Sequence, residues 1–406
     1  MTPERTNKNT PTGRFVKQLS GPESYSAFIP SPLPPRPEIE IDKKMEEAIE
    51  RAGVALGRLD GITLLLPDPD LFLYMFVRKE AVLSSQIEGT QSSLSDLLKY
   101  EHAAAPGVPV EDVREASNYV KAMQHGLDRL HNGFPLSLRL IREIHNVLMQ
   151  NTRGRHKTPG EFRTSQNWIG GTRPGNARFV PPPPHEVPDA LANLEKFLHD
   201  DPVRISPLLK AGIAHVQFET IHPFLDGNGR LGRLLITFVL CAEGVLSQPL
   251  LYLSLYLKSH RDQYYDTLQR VRTHGEWDVW LTFYLEGVEE VARTATETAR
   301  AIMKLFEADH QRIQRFGKAA GSAIRVHDLL KRQAILSIPS AAKALSLTQP
   351  TIAASVERLV KLGIARESTG KQRDRQFIYS AYEKILNEGT ELGPSTRRTE
   401  EARTKS

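Results

Sequence analysis

A polar segment broken by glycines interrupts two apolar stretches and constrains this chain more than any other feature. HPFLDGNGRLGR (His222–Arg233) follows SPLLKAGIAHVQFETI and precedes LLITFVLCAEG. Stretches of that apolarity read as buried helices, so the segment is a loop that opens a central helix. Gly227 and Gly229 let backbone N–H groups turn inward, and the new helix adds its unbonded amides, which together form an anion cradle. Arg230 and Arg233 are three residues apart, so both guanidiniums fall on one side of the helix and suit phosphate oxygens. Asp226 suits a divalent cation that offsets phosphate charge, since magnesium usually takes one carboxylate with phosphates and waters. His222 stands at the loop entrance, titrates near neutrality and suits removal of a hydroxyl proton. Base, carboxylate, amides and arginines in one loop indicate phosphoryl or nucleotidyl transfer; the alternative is a structural glycine turn with surface arginines. The chain has neither a GxxxxGK[ST] P-loop nor a kinase HRD/DFG set.

Around this segment the pattern is mainly helical. The 406 residues suffice for two to three domains at about 150 residues each. Hydrophobic content of 40% and charged content of 25% exclude a wholly disordered, collagen-like or disulfide-stapled protein. The single cysteine, Cys241, excludes an internal disulfide or a multi-cysteine metal site and fits a reducing compartment. No apolar run reaches membrane-spanning length and the first residues carry no apolar leader, so a cytoplasmic protein is expected. Helical spacing recurs over 42–59, 71–88, 112–131, 136–151, 186–199, 203–219, 230–244, 259–273 and 276–306, with Gly89 placed to cap the second. QNWIGGTRPGNARFVPPPP (166–184) reads as a β-hairpin closed by prolines. Residues 1–38 are rich in proline and read as an extended or disordered tail, as does 387–406.

Past residue 318, short helices at 323–333, 339–346 and 349–362 precede two strand-like runs around a polar turn, a winged-helix pattern. Arg358, Lys361, Arg366, Lys371, Arg373 and Arg375 outweigh Glu367 and Asp374 there, a local excess of +4 against +5 for the whole chain. Gln349, Thr351 and Ser355 open the candidate recognition helix and are placed to face base edges. Such a module contacts either DNA or protein. Elsewhere Trp277, Trp280 and Cys241 read as core, and His125 and His131 as surface residues. His185-Glu186 lacks a second metal ligand.

HPFLDGNGRLGR matches the Fic (filamentation induced by cyclic AMP) signature HxFx(D/E)GNGRxxR at every defined position. The chain resembles that family well beyond the motif. Residues 39–130 resemble its N-terminal helical domain and 131–310 its all-helical catalytic core. GEFRTSQNWIGG and FVPPPP resemble the core's small β-hairpin flap. With the winged-helix domain at 318–386, the expected fold class is mainly α. The resemblance implies a protein adenylyltransferase that moves AMP from ATP to a target-protein hydroxyl, releasing pyrophosphate. It implies His222 as base, Asp226 as Mg²⁺ ligand, and Gly227, Asn228 and Gly229 as phosphate cradle with Leu231 and Gly232 alongside. Arg230 and Arg233 become the triphosphate clamp. Asn167, Trp168, Ile169 and Gly170 would line the nucleotide pocket, while the flap takes the target by strand addition. Tyr264 would stack on adenine, with Tyr265 easily confused with it, and Arg272 would lie on the ribose side; core packing is the alternative for both tyrosines. A homodimer is implied as well.

SSQIEG (84–89) resembles the family's inhibitory signature [S/T]xxxE[G/N], with Ser84, Glu88 and Gly89 at the matching positions. By that resemblance Glu88 pairs with Arg233 and holds ATP unproductively, or positions water to remove AMP. The other reading is a helix-capping Glu-Gly. A competing function is a DNA-binding regulator whose Fic core acts as sensor.

Overall fold

The computed structural model describes residues 9–20, 23–63, 69–101, 110–370 and 375–390. Strands β1 (Asn9–Thr10), β2 (Gly13–Ser20) and β3 (Glu23–Pro30) come first. Helices α1 (Lys43–Thr63), α2 (Pro69–Ile87), α3 (Leu94–Glu101), α4 (Val110–His131) and α5 (Leu138–Leu148) follow. After the flap come α6 (Val187–Leu198), α7 (Pro207–Ile221), α8 (Asn228–Ala242), α9 (Ser254–Ser259), α10 (Arg261–His274) and α11 (Trp277–Gln314). The chain continues through α12 (Ala320–Gln333), β4 (Ile335–Ser337), α13 (Ile338–Leu345) and α14 (Gln349–Lys361). It closes its described part with β5 (Ala365–Glu367), β6 (Gln376–Tyr379) and α15 (Ser380–Asn387). The fold is mainly α, as expected, and no described helix is long and apolar enough to cross a membrane. Contacts divide it into two compact units, Met1–Asp60 with Asn118–Arg293 and Gly61–Ser117 with Thr294–Ser406.

The first unit is built on α7 and α8. Every residue of α7 after Pro207 is buried, and so is most of α8. A helix buried all round has no solvent face, which fits the central position of α7 and leaves its polar residues, such as His215 and Glu219, to find partners inside. Gly232 lets the two helices approach: a Cβ there would lie 2.4 Å from Glu219 Oε1. Trp280 closes the other side, donating Nε1–H to the Gly212 carbonyl at 3.0 Å. Trp277 is buried beside it in sequence, whereas Cys241 is only half-buried.

Two expectations change in this unit. Within the supposed tail, β1, β2 and β3 form a three-stranded antiparallel sheet with β2 paired to β3 from Gly13↔Pro30 to Ser20↔Glu23. Phe15 lies opposite Phe28, with ring centroids 5.0 Å apart. Proline content suggested disorder, but Pro11 precedes β2 and Pro30 ends β3, so neither interrupts the ladder. The flap, conversely, is less regular than a hairpin: it has one bridge, Ile169↔Phe179, across a short 3-10 turn at Pro174–Asn176. Gly170 and Gly171, both with φ near +70°, end the pairing there.

In the second unit β4, β6 and β5 form an antiparallel sheet in that order, and α12 packs on α14. Buried Tyr379 donates to Asp309 Oδ2 at 2.8 Å and lies 3.1 Å from His327 Nε2, joining β6 to α11 and α12. Ser355 is fully buried and bonds Ser322 Oγ at 2.9 Å, so it faces α12 rather than a base edge. Gln349 is exposed and Thr351 half-exposed at the same helix start. Lys371 and Arg373 of the basic wing, and 391–406 of the expected tail, lie outside the described residues.

Candidate active site

The loop between α7 and α8 is held by side chains from the flap and from the end of α5. α7 ends at His222, whose backbone is left-handed at φ 50°, ψ 59°. That conformation costs a residue with a Cβ about 1–2 kcal/mol. It persists because its carbonyl is gripped twice, by Arg163 Nε at 2.9 Å and Asn167 Nδ2 at 3.1 Å. The His222 side chain is 20% exposed, and its Nδ1 lies 3.8 Å from Glu219 Oε2. Glu219 is itself buried, so its charge acts at short range on a proton gained by the imidazole.

The turn itself is closed by Asn228, whose Oδ1 accepts from the Phe224 N–H at 2.9 Å while Nδ2 donates to the Phe224 carbonyl at 2.8 Å. Gly227 takes φ +79°, and a Cβ there would lie 2.7 Å from Met149 Sδ, so only glycine fits. α8 therefore starts at Asn228, two residues before the expected start. Asp226 Oδ1 accepts from the Gly227 N–H at 2.7 Å, and its side chain is 42% exposed. One accessible carboxylate fits a magnesium ion that completes its shell with phosphates and waters. His145 fixes the same turn from below, 3.7 Å from Phe224 in a parallel ring stack. It accepts the Gly160 N–H on Nδ1 at 2.8 Å, so Nε2 carries the proton and donates to the Asp226 carbonyl at 2.9 Å. Burial drives the His145 pKa down to about 4, which keeps it neutral.

Arg230 and Arg233 are only 4% and 3% exposed, so their guanidiniums are turned into the protein rather than standing in solvent. Arg230 Nη2 reaches Met149 Sδ at 3.6 Å and lies 3.8 Å from Asp226 Oδ1. The other residues of the expected nucleotide set divide. Gly229 is half-exposed at the start of α8, while Leu231 and Gly232 face inward, and the Gly232 carbonyl accepts from His215 Nδ1 at 2.8 Å. Burial lowers the His215 pKa to about 3. Tyr264 does not offer a ring to adenine: it is buried among His215, Trp280 and Tyr265, with its hydroxyl 2.9 Å from His215 Nε2. Tyr265 is the half-exposed ring of the pair. Arg272 is buried as well, bonded to Thr220 Oγ1 and the Glu219 carbonyl, each at 3.1 Å, with its guanidinium 4.2 Å from the Phe179 ring centre. It ties α10 to α7 instead of reaching a ribose. Asn167 turns its amide to the His222 and Phe224 carbonyls, Ile169 forms the flap bridge beside Gly170, and Trp168 is 39% exposed.

In the second unit, α2 ends at SSQIEG in a Schellman closure: the Gly89 N–H bonds the Gln86 carbonyl at 3.1 Å and the Thr90 N–H the Ser85 carbonyl at 3.2 Å. Gly89 has φ +99°, Ser84 is fully buried, and Glu88 is exposed. Arg163 and His145 carried no motif signal beyond membership of GEFRTSQNWIGG and an apolar helix; their partners are backbone carbonyls and amides distant in sequence.

Comparison with known proteins finds two family regions in this part of the chain. The Fic/DOC family N-terminal region matches residues 46–128, and the Fic/DOC family domain matches 135–240. The chain is 28% identical over 309 residues to the protein adenylyltransferase Fic of Aedes aegypti, covering 70% of this chain and 57% of that protein. It is 26% identical over 204 residues to a probable protein adenylyltransferase of Aquifex aeolicus, covering 50% and 59%. The chain thus spans less than two thirds of the length of either relative. A Fic family protein from Desulfovibrio desulfuricans G20 shares the fold at a TM-score of 0.54 and 19% identity, over 85% of this chain and 98% of that one. The Fic/DOC family N-terminal region and the Fic/DOC family domain thus lie one after the other over residues 46–240, with the motif loop inside the second.

Proposed function

We propose that the chain is a self-inhibited protein adenylyltransferase that transfers AMP from ATP to a Ser, Thr or Tyr hydroxyl of a target protein and releases pyrophosphate. The observation that carries this is a histidine locked at the end of α7 beside the glycine turn that opens α8. In this reading His222 removes the hydroxyl proton, with Nδ1 toward Glu219 and Nε2 on the far side of the ring. The hydroxyl oxygen bonds the α-phosphorus as its bond to the bridging oxygen breaks, and pyrophosphate leaves with that electron pair. The α8 amides hold phosphate oxygens, and Arg230 and Arg233 offset charge that builds toward the leaving group. Asp226 would hold magnesium, which supplies further charge neutralisation on the phosphates.

Self-inhibition rests on the spacing of Ser84, Glu88 and Gly89 and assigns Glu88 to Arg233. Removal of AMP by the same site is a branch of the same reading. The domain division at 39–130, 131–310 and 318–386, a homodimer and a cytoplasmic location belong to the proposal too. A second reading is favoured by the β4–β6–β5 sheet behind α14: a winged helix that binds DNA through the exposed start of α14 and the basic wing. To test the first reading, the full chain is incubated with α-phosphate-labelled ATP, Mg²⁺ and cell lysate. Label should enter protein, rise in Glu88→Gly and vanish in His222→Ala. Labelling from γ-labelled ATP instead would replace AMP transfer with phosphoryl transfer.

A further inference from the structure

The carbonyl oxygen of His222 has two lone pairs, and the flap fills both. Arg163, at the root of the first flap arm, and Asn167, within it, each donate to that one atom. Arg163 goes further. It is 3% exposed, and among the described residues every acceptor it meets is a backbone carbonyl. Its Nη2 reaches Pro182 on the far flap arm at 2.6 Å and Ile221 at 3.3 Å, and Nη1 reaches Ser165 at 3.2 Å. A planar fork therefore binds the end of α7 to both arms of the flap. The position is favourable for a cation, because the unbonded carbonyls at a helix C-terminus carry partial negative charge. A buried guanidinium without a carboxylate is nonetheless costly, and burial brings its pKa down to about 10. Packing alone would be served by an apolar side chain, whereas a fork fixes directions.

We propose that Arg163 and Asn167 are positioning residues for the transfer: together they fix the carbonyl of His222, and through it the direction of the imidazole, against the flap on which a target segment sits. This rests on the adenylyltransferase reading and gives the flap a second task beside docking. Target and base are brought to one reference point, so a hydroxyl presented by the flap arrives in register with the nitrogen that takes its proton. Lysine cannot substitute for Arg163, since a point charge on a flexible stem does not reproduce the fork.

The test uses the full chain. Arg163→Ala should lower the saturating rate of AMP transfer by about 10²-fold, the scale of a small misplacement at a reacting group. ATP affinity should change by less than about threefold, because the fork touches no nucleotide-binding amide. Millimolar guanidinium ion should restore much of the rate in Arg163→Ala, and Arg163→Lys should remain slow. Equal losses of rate and ATP affinity, or no recovery with guanidinium, would overturn the assignment. Asn167→Ala removes one donor only; it covers the case in which Arg163→Ala fails to fold, and an unchanged rate there counts against the clamp. A readout independent of activity separates this inference from the reading beneath it. In chain labelled with ¹⁵N-histidine, the His222 ring signals should move in Arg163→Ala and return with guanidinium, while those of His145 stay in place. Movement with no AMP transfer by any variant sinks the enzymatic reading and keeps the clamp; unmoved signals sink the clamp.

Discussion

Helices α7 and α2 both stop at a residue in the left-handed region, one in each compact unit, and they stop by different means. α2 uses Gly89, which adopts φ +99° without a Cβ to offend, and its last carbonyls are met by the next two amides of the same chain. α7 uses His222, which pays for the same kind of backbone turn, and its last carbonyls are met by side chains from the flap. A local solution suffices at α2, where glycine carries the turn. A strained residue held by distant donors appears at α7, where the proposed reading needs an imidazole at a set place.

The largest effect should come from converting the second solution into the first. His222→Gly should cut AMP transfer by about 10²–10⁴-fold, as loss of a general base does. It should also unfold at higher denaturant than His222→Ala, by up to about 1 kcal/mol, because alanine keeps the left-handed cost and glycine removes it. Equal stability of the two variants would show that no strain is stored at the α7 end.

At the α2 end, Glu88→Gly leaves the glycine cap untouched and removes only the carboxylate. Transfer should rise about tenfold for each 1.4 kcal/mol by which the proposed Glu88–Arg233 pair held ATP back. The gain should disappear on an Arg233→Ala background, which a double-mutant cycle reads directly. No gain in auto-modification would reduce SSQIEG to the helix closure already visible there.

Acid should separate the two ends next. His145 and His215 are held neutral by burial, with pKa values of about 4 and about 3, whereas an unfolded chain takes up the proton near the ordinary value of 6.5. The unfolded state therefore binds more protons between these values. Stability is fully present above about pH 6.5 and falls as pH drops toward 4, by at most about 1.4 kcal/mol per pH unit for each histidine. His145 packs under the α7–α8 loop and His215 between the two helices, so the protection factors of the Gly160 and Gly232 amides should fall with acid before that of Thr90. The reverse order would show that the buried histidines do not govern that loop.

The smallest effect is Gly89→Ala. The space around Gly89 is open, so only the backbone conformation opposes a Cβ. The loss should be about 1 kcal/mol in chemical unfolding. No change would mean that the closure relaxes without cost.

Much of this was legible before any coordinates. The apolar flanks of HPFLDGNGRLGR fix α7 and α8 as buried helices, and glycine and asparagine in the loop fix its turn. What sequence periodicity does not carry is the direction of single side chains in a crowded place. Tyr264 and Ser355 both look available on a helix, yet a hydroxyl partner within the core, His215 in one case and Ser322 in the other, turns them inward. Arg163 was invisible as a functional residue because its partners are backbone carbonyls, which every residue possesses and no motif records. The strands β1 to β3 escape a reading of proline content because what decides pairing is where the prolines fall relative to the paired positions.

Those early strands also carry a consequence in time. Thr10 donates its hydroxyl proton to the Arg272 carbonyl at 3.2 Å and Thr12 to that of Val271 at 2.8 Å, across 262 and 259 residues of chain. At the usual elongation rate of about 5–20 residues per second, β1 and β2 wait roughly 13–50 s on the ribosome before α10 exists to receive them. Phe28 waits for the Val180 carbonyl as well, which accepts its N–H at 2.9 Å. During that interval the Phe15–Phe28 hairpin is a nascent sheet with an open edge, the kind of surface that chaperones attend. A segment made well before its partners is thus secured late, and slowing translation between residues 30 and 272 lengthens its exposure.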